Sequence, residues 1–340
     1  MYDHTTQVNL TMFDRYVACI PQYCGFNDVM CQIWRTYEYA CSCNRVLVVD
    51  TRASCLADDI SYYMNYAGSQ DNVIMHMSDE LIDFFNTQEC YPKKFQYQIE
   101  QLLQPLIVDS STNLSSKDDF EPLSPFRKKL EKIWYASIPY RGMNRMRNYL
   151  KDYQFYRRSE PLVIHDAFGG GTVSALAIQL FRLNSTIQSN IKQQLTVLGD
   201  DYDAIHIRHT DYQTDYEPFL RQLSTQLSGR RVLVCSDNPH VKKRASEILT
   251  NSKVQCIPQP FDTPDTGQFG LPVHYQWHLT LQERRQRNIG LLTDLIGLAK
   301  SRKLYFTEVR KGDGFGYSGF SRLASELQSR PDILKACAGI

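Results

Sequence analysis

A histidine, an arginine and an aspartate lie close together near the middle of the chain, as His206, Arg208 and Asp211. Ile205 and Ile207 alternate with the first two and predict a short strand that ends in a polar loop. Because alternate side chains of a strand share a face, the imidazole and the guanidinium emerge together where the strand ends. A guanidinium binds a phosphate through two parallel hydrogen bonds, and an imidazole beside it binds a phosphate or a nucleobase. The segment therefore predicts an anion-binding site.

This strand opens a series of alternating strands and helices. Such alternation predicts a parallel sheet with crossover helices, in which a ligand lies beyond the carboxyl ends of the strands. His206, Arg208 and Asp211 lie at such an end. The later predicted elements are helix 216–227, strand 231–235, helix 239–249, strand 253–257, helix 287–300, strand 303–306 and a helix that begins near Ser318.

The first half of the chain also begins like a doubly wound sheet. A strand at 16–20, a loop, a helix capped by Asn27 and a buried strand at 45–50 form the opening unit of such a sheet. A further strand at 162–167 runs into Gly169-Gly170-Gly171. These glycines lack the spacing of a phosphate-binding loop, so we expect a plain turn into a helix.

The boundary between the halves is predicted from a linking helix at 187–198. Before it, helical patterns occur near 79–85 and over 126–153, within a part of the chain that is otherwise hard to interpret. The sequence is long enough for two cores of ordinary size. It therefore predicts two domains, 1–197 and 198–340.

Two further segments place polar groups at the same predicted sheet edge. Ser236 and Asp237 directly follow a strand, where they are either ligand-binding groups or the cap of a turn, for which Ser-Asp-Asn-Pro is suited. Ser318 and Gly319 open a helix, whose unpaired N–H groups and positive end suit a pyrophosphate. An ordinary helix cap would explain Ser318 alone.

Three motifs, in this order, resemble those of the α1,6-fucosyltransferase and nodulation protein Z family. They are His-x-Arg-x-Thr-Asp at 206–211, the strand that runs into Ser236-Asp237, and Ser318-Gly319-Phe320-Ser321. Cys24-Gly25-Phe26-Asn27-Asp28 before the strand at 45–50 resembles the start of the same fold. The resemblance implies an α/β fold of the GT-B type, with two Rossmann-like domains facing each other across a cleft. The N-terminal domain is then the acceptor side, and the C-terminal domain binds a GDP-sugar.

The resemblance also implies roles for single residues. Asp294, on an otherwise apolar helix, would read the guanine edge, although a solvated helix stripe explains it equally well. In the family, the serine and backbone amides of the third motif hold GDP. The residues implied in GDP-fucose binding are His206, Arg208, Ser236, Asp237, Asp294, Ser318, Gly319, Phe320 and Ser321, with Gly25, Phe26 and Asn27 across the cleft.

The implied reaction is an inverting, metal-independent transfer of L-fucose from GDP-fucose to a glycan acceptor. Arg208 and the helix end at Ser318 would stabilise the leaving group, while a carboxylate removes the acceptor proton. The α1,6-fucosyltransferases place a glutamate ten residues after the motif's histidine, and Tyr216 occupies that position here. A group from the N-terminal domain or a phosphate oxygen is the alternative base. The predicted catalytic residues are Arg208, Asp211, Asp215 and Glu217.

Two patterns that are typical of metal sites carry little weight. Asp201-Tyr202-Asp203 matches an Asp-x-Asp metal motif, but it precedes its strand and so lies at the opposite sheet edge from Arg208. His274 and His278 have i,i+4 spacing without an evident third ligand. We therefore expect no metal and no cofactor beyond the donor substrate.

Two other functions stay open, and the missing glutamate is the reason for the second of them. One is a GT-B glycosyltransferase that uses another nucleotide sugar. The other is a non-catalytic protein that binds a nucleotide sugar or a glycan. The acceptor of an enzyme would be an oligosaccharide or a carrier-linked glycan.

Composition excludes several classes of partner. Lys and Arg number 38 against 37 Asp and Glu, a net charge of +1, which argues against nucleic acid. No signal peptide and no apolar run of roughly 20 residues is present, so we expect a cytoplasmic protein, at most peripheral at the inner face of the membrane. The ten cysteines lack Cys-x-x-Cys pairs and are expected to be reduced.

Overall fold

The computed structural model describes the strands and helices around the predicted site. The described residues are 15–21, 24–68, 72–103, 158–165, 171–210, 214–257, 279–311 and 314–339. Several predictions fall outside them: the helix at 126–153, Gly169 and Gly170, Asp211, and the pair His274 and His278.

The described first half contains one parallel sheet and one small antiparallel pair. The sheet has the strand order β4-β2-β1-β6-β5, and all of its neighbouring strands are parallel. Strands β3 and β7 form the antiparallel pair. The bounds are β1 Tyr16–Cys19, β2 Val46–Val49, β3 Met64–Tyr66, β4 Val73–Ile74, β5 Cys90–Tyr91, β6 Leu162–His165 and β7 Phe181–Leu183.

The second half contains a four-stranded parallel sheet in the order β10-β9-β8-β11. Its strands are the four predicted ones: β8 Asp203–Ile207, β9 Arg231–Ser236, β10 Lys253–Gln255 and β11 Lys303–Phe306. The antiparallel hairpin that follows, formed by β12 Glu308–Lys311 and β13 Gly314–Tyr317, was not predicted. The hairpin connects the end of the sheet to the helix of the third motif.

The helices cross over between parallel strands, as the alternation predicts. In the described part of the first half they are α1 Phe26–Cys43, α2 Asp79–Asn86, α3 Ile99–Leu103, α4 Ser174–Ile178 and α5 Ser185–Leu195, with a 3₁₀ turn at Thr196–Leu198. In the second half they are α6 Tyr216–Ser224, α7 Pro239–Ile248, α8 Leu281–Lys300, α9 Gly319–Ser329 and α10 Pro331–Ala338.

Two helix starts differ from the prediction. Helix α1 is capped by Gly25, not by Asn27, because the asparagine side chain is used in a buried contact with Ser174. Helix α8 begins at Leu281, because Thr280 and Glu283 form a capping box that satisfies its first N–H groups. The Thr-x-x-Glu spacing of Thr280 and Glu283 is typical of a capping box and indicates a helix start at Leu281 instead of 287.

The two sheets share one apolar core. Its largest cluster contains Val17 and Leu47 of the first sheet together with Ala204 and Leu233 of the second. Helix α8 lies close against the second sheet at Gly297, where an added Cβ would come within 2.8 Å of Leu233 Cδ2. The domain boundary at 197/198 therefore stays a prediction, since the core itself does not divide there.

The outer face of the second sheet has its own core. Ile205 and Ile207 of β8 point into it and pack with Leu220 of α6 and Val241 of α7. Ala204 points to the inner face and joins the shared core. The alternation predicted for β8 is thus observed, and His206 and Arg208 belong to the inner side.

Candidate active site

His206 joins the first motif to the third. Its Nδ1 atom lies 2.6 Å from Ser321 Oγ, and its ring centroid lies 5.2 Å from that of Phe320. Burial lowers the pKa of His206 to about 4, because the cation is poorly solvated there. The imidazole is therefore neutral at physiological pH and holds the first turn of α9 against the end of β8.

Arg208 is fixed by an ion pair with the second motif. Its Nε lies 3.0 Å from Asp237 Oδ2, and the aspartate side chain is 5% exposed. Asp237 also accepts hydrogen bonds from the backbone N–H of His209 at 2.8 Å and from Thr210 Oγ1 at 2.7 Å. Asp237 thus connects the carboxyl ends of β8 and β9 and orients the guanidinium.

The residues around Asp237 form a capped turn. Ser236 Oγ accepts from the N–H of Asn238 at 3.2 Å, and Asn238 Oδ1 accepts from the N–H of His240 at 2.9 Å. Asn238 Nδ2 also donates to the carbonyl of His209 at 3.0 Å. The turn-cap interpretation of Ser236 is therefore observed, and the same turn supports the loop that follows Arg208.

The first turn of α9 meets the first turn of α1. Gly319 lies so close to Asn27 that an added Cβ would come within 2.9 Å of the asparagine Nδ2 and within 3.0 Å of its Cβ and Cγ. Asn27 is buried, and its Oδ1 accepts from Ser174 Oγ at 2.7 Å. A side chain at position 319 would therefore require the Asn27 side chain, which is held by Ser174, or the two helices to shift.

Two helix N-termini are consequently neighbours at one place. Ser318 caps α9 without a side-chain capping bond, and Gly25 caps α1. Among the residues that the structure describes, no atom lies within 4 Å of a Cβ added to Gly25. Helix N-termini carry unpaired N–H groups and a positive partial charge, and both favour an anion. Phe26, which the resemblance places among the donor-binding residues across the cleft, is buried in the shared core.

The loop after β2 brings the first half to Arg208. Cys55 lies in this loop, and burial, followed by the nearby Asp28 carboxylate, raises the pKa of its thiol to about 12, while the Arg208 guanidinium opposes the rise. Asp28, from the first half of the chain, and Arg208, from the second, are therefore both near enough to this thiol to shift its pKa. Asp28 was not among the predicted site residues, although it directly follows Gly25, Phe26 and Asn27.

Glu217, one of the predicted catalytic carboxylates, lies in an ion-pair network. Its Oε1 pairs with Arg244 Nε at 2.8 Å, and its Oε2 lies 3.3 Å from Arg221 Nη2. The hydrogen bond from Arg244 lowers the pKa of Glu217, which weakens it as a proton acceptor. This arrangement between α6 and α7 disfavours the prediction for Glu217.

Asp215 and Tyr216 lie at the start of α6. Asp215 is the exposed N-cap residue, and the Tyr216 ring lies edge-on to His209 at 4.9 Å between centroids. His209 points away from Arg208, as strand alternation predicts, and its Nδ1 lies 2.8 Å from Thr214 Oγ1. The catalytic role of Asp215 therefore stays a prediction.

Asp294 lies at the carboxyl edge of the second sheet. It is half-buried on α8, and its charge, after burial itself, raises the pKa of Cys235 well above the usual value. Cys235 precedes Ser236 at the end of β9. The structure thus brings Asp294 to the edge that carries the three motifs.

The Asp-x-Asp segment is at the opposite edge and is paired with arginines. Arg230 Nη2 contacts Asp201 Oδ1 at 2.6 Å, and Arg302 Nη2 contacts Asp203 Oδ2 at 2.7 Å. Across the described ranges, no three His, Cys, Asp or Glu side chains are grouped as metal ligands would be. Within the same ranges, no helix has both the length and the apolarity that crossing a membrane requires.

Comparison with known proteins identifies the fold. No protein-family model matches the sequence, and no curated protein matches it. The crystal structure of NodZ alpha-1,6-fucosyltransferase co-crystallised with GDP does match, with a TM-score of 0.54 at 16% identity over 92% of each chain. This chain has the NodZ fold.

Two other NodZ structures give the same result. NodZ soaked with GDP-fucose has a TM-score of 0.54 at 17% identity, again over 92% of each chain. Fucosyltransferase NodZ from Bradyrhizobium has a TM-score of 0.53 at 17% identity and is covered to 93%. The predicted α/β fold of the GT-B type is confirmed.

Proposed function

We propose that this protein is a fucosyltransferase that moves L-fucose from GDP-fucose to a glycan acceptor, with inversion and without a metal ion. The observation that carries the proposal is the short contact between His206 and Ser321, which joins the strand end of Arg208 to the N-terminus of α9. The shared fold supports it, since NodZ structures were obtained with GDP and with GDP-fucose.

The donor would lie along the carboxyl edge of the second sheet. Asp294 would accept hydrogen bonds from the guanine N1–H and N2–H₂, and the amides of Gly319 and Phe320 would hold the pyrophosphate. Arg208, oriented by Asp237, would neutralise the charge that develops on the β-phosphate as the bond to fucose breaks. Arg208 and two helix N-termini supply the positive charge that a metal ion supplies elsewhere.

The base that we propose for the proton of the acceptor hydroxyl is a carboxylate on the acceptor side. Asp28 is the strongest candidate, because it lies in the first turn of α1, in the first half, and that turn meets the N-terminus of α9. Glu217 is held by Arg244 and Arg221 instead. We therefore favour Asp28 as the general base, with Asp211 as the other candidate.

Calorimetry in buffer with EDTA tests the donor assignment. GDP is expected to bind more tightly than UDP or ADP, and EDTA is expected to leave its affinity unchanged. Preference for UDP, or loss of GDP binding on chelation, would contradict the assignment. Transfer from GDP-fucose to a mixed glycan panel then tests the reaction.

A second function, binding of a GDP-sugar without catalysis, is favoured by one observation: Tyr216 occupies the position of the family's glutamate. If GDP binds tightly and neither transfer nor hydrolysis of GDP-fucose occurs, the protein is a GDP-sugar-binding protein without catalysis. The same two measurements therefore separate the two functions.

A further inference from the structure

Helix α8 forms hydrogen bonds and an ion pair with the loop that follows β2 in the first half of the chain. The loop runs from Asp50 to Asp59. The side chains that contact it lie on the first two turns of α8, more than 200 positions away in sequence. We call this group of contacts the α8 clamp. Its contacts are Arg284 Nη1 to the Ala57 carbonyl at 2.6 Å, Arg285 Nε to Asp58 Oδ2 at 3.1 Å and Asn288 Nδ2 to the Leu56 carbonyl at 2.8 Å.

Tyr63 bridges two residues of the α8 clamp, Asp58 and Asn288, through its hydroxyl group. Its hydroxyl donates to Asp58 Oδ2 at 2.8 Å and accepts from Asn288 Nδ2 at 2.8 Å. The Arg285 guanidinium also lies 3.8 Å above the centroid of the Tyr62 ring. Asp58 is 5% exposed and Asn288 is fully buried, so the contacts among Asp58, Tyr63 and Asn288 are shielded from water. Removal of one partner therefore leaves a buried polar group without its hydrogen bond.

One alanine in the loop from Asp50 to Asp59 has a backbone conformation that alanine rarely adopts. Ala57 has φ = 45°, in the left-handed region, and its carbonyl is the acceptor for Arg284. Inside the loop, Thr51 Oγ1 donates to the carbonyl of Asp58 at 2.7 Å, and Ser54 Oγ donates to that of Thr51 at 2.7 Å. Strained backbone of this kind persists where the surrounding contacts hold it in place, and such positions cluster at functional sites.

We infer that the α8 clamp positions the acceptor-side wall of the cleft, the loop from Asp50 to Asp59, relative to the donor site at Arg208. The inference rests on the proposed function and makes Arg284, Arg285 and Asn288 positioning residues. Helix α8 also carries Asp294, so one rigid element holds the wall and the proposed guanine contact at a fixed separation. A misplacement of about 1 Å between reacting groups costs on the order of 10² in rate.

Loosening of the wall has a chemical consequence. In transfer, the bond between fucose and the β-phosphate breaks, GDP leaves with the electron pair, and the acceptor oxygen bonds to the sugar and gives up its proton. Water can replace the acceptor in the same scheme and yields free fucose and GDP. The α8 clamp is therefore expected to raise the ratio of transfer to hydrolysis without affecting GDP affinity.

The test compares Arg284→Gln and Arg285→Gln with a matched control, Arg244→Gln. The side chains of Arg285 and Arg244 are each 33% exposed and each pair with a carboxylate, but Arg244 pairs with Glu217 outside the clamp. The clamp variants are expected to lose transfer kcat by on the order of 10-fold to 100-fold and to hydrolyse a larger share of the donor. Arg285→Lys is expected to recover part of the loss, because it keeps the charge.

Hydrogen exchange supplies a readout that does not depend on activity. Residues 51–59 of the GDP-bound protein are expected to exchange faster in the clamp variants and at the wild-type rate in Arg244→Gln. Unchanged exchange at 51–59 would overturn the inference, as would a loss of GDP affinity that matches the loss of transfer. An inactive wild-type protein would contradict the proposed function instead, and the exchange rates would still decide whether the clamp orders the wall.

Discussion

The two ends of strand β8 carry the same kinds of side chain and use them differently. At the amino end, Asp203 pairs with Arg230 and Arg302, and the charges neutralise one another locally. At the carboxyl end, Arg208 pairs with Asp237, and the pair is connected to the next strand. An acid and an arginine therefore indicate a site only when the fold brings other elements to them.

What distinguishes the carboxyl end is the convergence of other elements. In a parallel sheet, the loops after the strands and the N-termini of the following helices share one edge. Here that edge receives the first turn of α9 through His206 and the first turn of α1 through Asn27 and Gly319. The amino end receives the helix C-termini, whose negative partial charge favours the arginines that lie there.

The largest expected effect comes from removing the arginine at the carboxyl end. Arg208→Ala is expected to lower kcat by on the order of 10²–10³ while raising the donor KM less, because its charge matters most in the transition state. Arg208→Lys keeps the charge but not the planar fork, so it is expected to recover only part of the rate. Steady-state kinetics of both variants measure this, with His209→Ala as the control on the opposite face. Near-normal kcat in folded Arg208→Ala would remove the first motif from the mechanism.

The second prediction separates two carboxylates. Asp28→Asn is expected to lower kcat by about 10², because the amide cannot accept the acceptor proton. Glu217→Gln is expected to retain most of the activity, since its carboxylate serves the arginines of α6 and α7. The rates of the two variants on GDP-fucose and an acceptor glycan decide between them. The reverse order would return the base to the start of α6.

The third prediction concerns selectivity for the base. Asp294→Asn is expected to reduce the preference for GDP over ADP by roughly tenfold, or ~1.4 kcal/mol, because the amide cannot accept from both guanine donors. Competition binding measures the preference, and thermal melting monitors the fold. A variant that melts early and keeps its full preference would make Asp294 a structural partner of Cys235 alone.

The smallest effect is expected at the amino end, and it concerns stability. Arg230→Gln is expected to lower the free energy of unfolding slightly, because the buried Asp203 then loses one of its arginine partners and retains Arg302. Activity of the folded variant is expected to be normal. Urea unfolding measures the free energy of unfolding, and steady-state enzyme kinetics without urea measure the activity. A loss of activity without a loss of stability would break the contrast between the two ends.

The predicted parts of the fold are those that local patterns determine. The apolar run from Val232 to Cys235 and the alternation around His206 fix strands regardless of their surroundings, and strand and helix alternation then fixes a parallel sheet. The first two motifs were also predicted to meet at one edge, since each follows a strand and the carboxyl ends of parallel strands coincide. The second sheet was accordingly predicted strand by strand.

The missed features depend on contacts between distant parts of the chain. Asn27 has the residue type of a cap, but its buried bond to Ser174, 147 positions away, cannot be predicted from either neighbourhood. The same holds for Arg284 and Ala57, which are 227 positions apart. Glu217 was predicted by counting from a family motif, and counting cannot show that Arg244 binds it.

The contact between Gly319 and Asn27 has a consequence for the order of events in the cell. Synthesis proceeds from the N-terminus, and domains commonly fold as they leave the ribosome. The helix end at Asn27 emerges early, but the glycine that completes the proposed anion site is nearly 300 positions later. If the proposed function is correct, a nascent chain cannot bind the donor until α9 has been made and has packed back on α1, so donor binding reports completed synthesis.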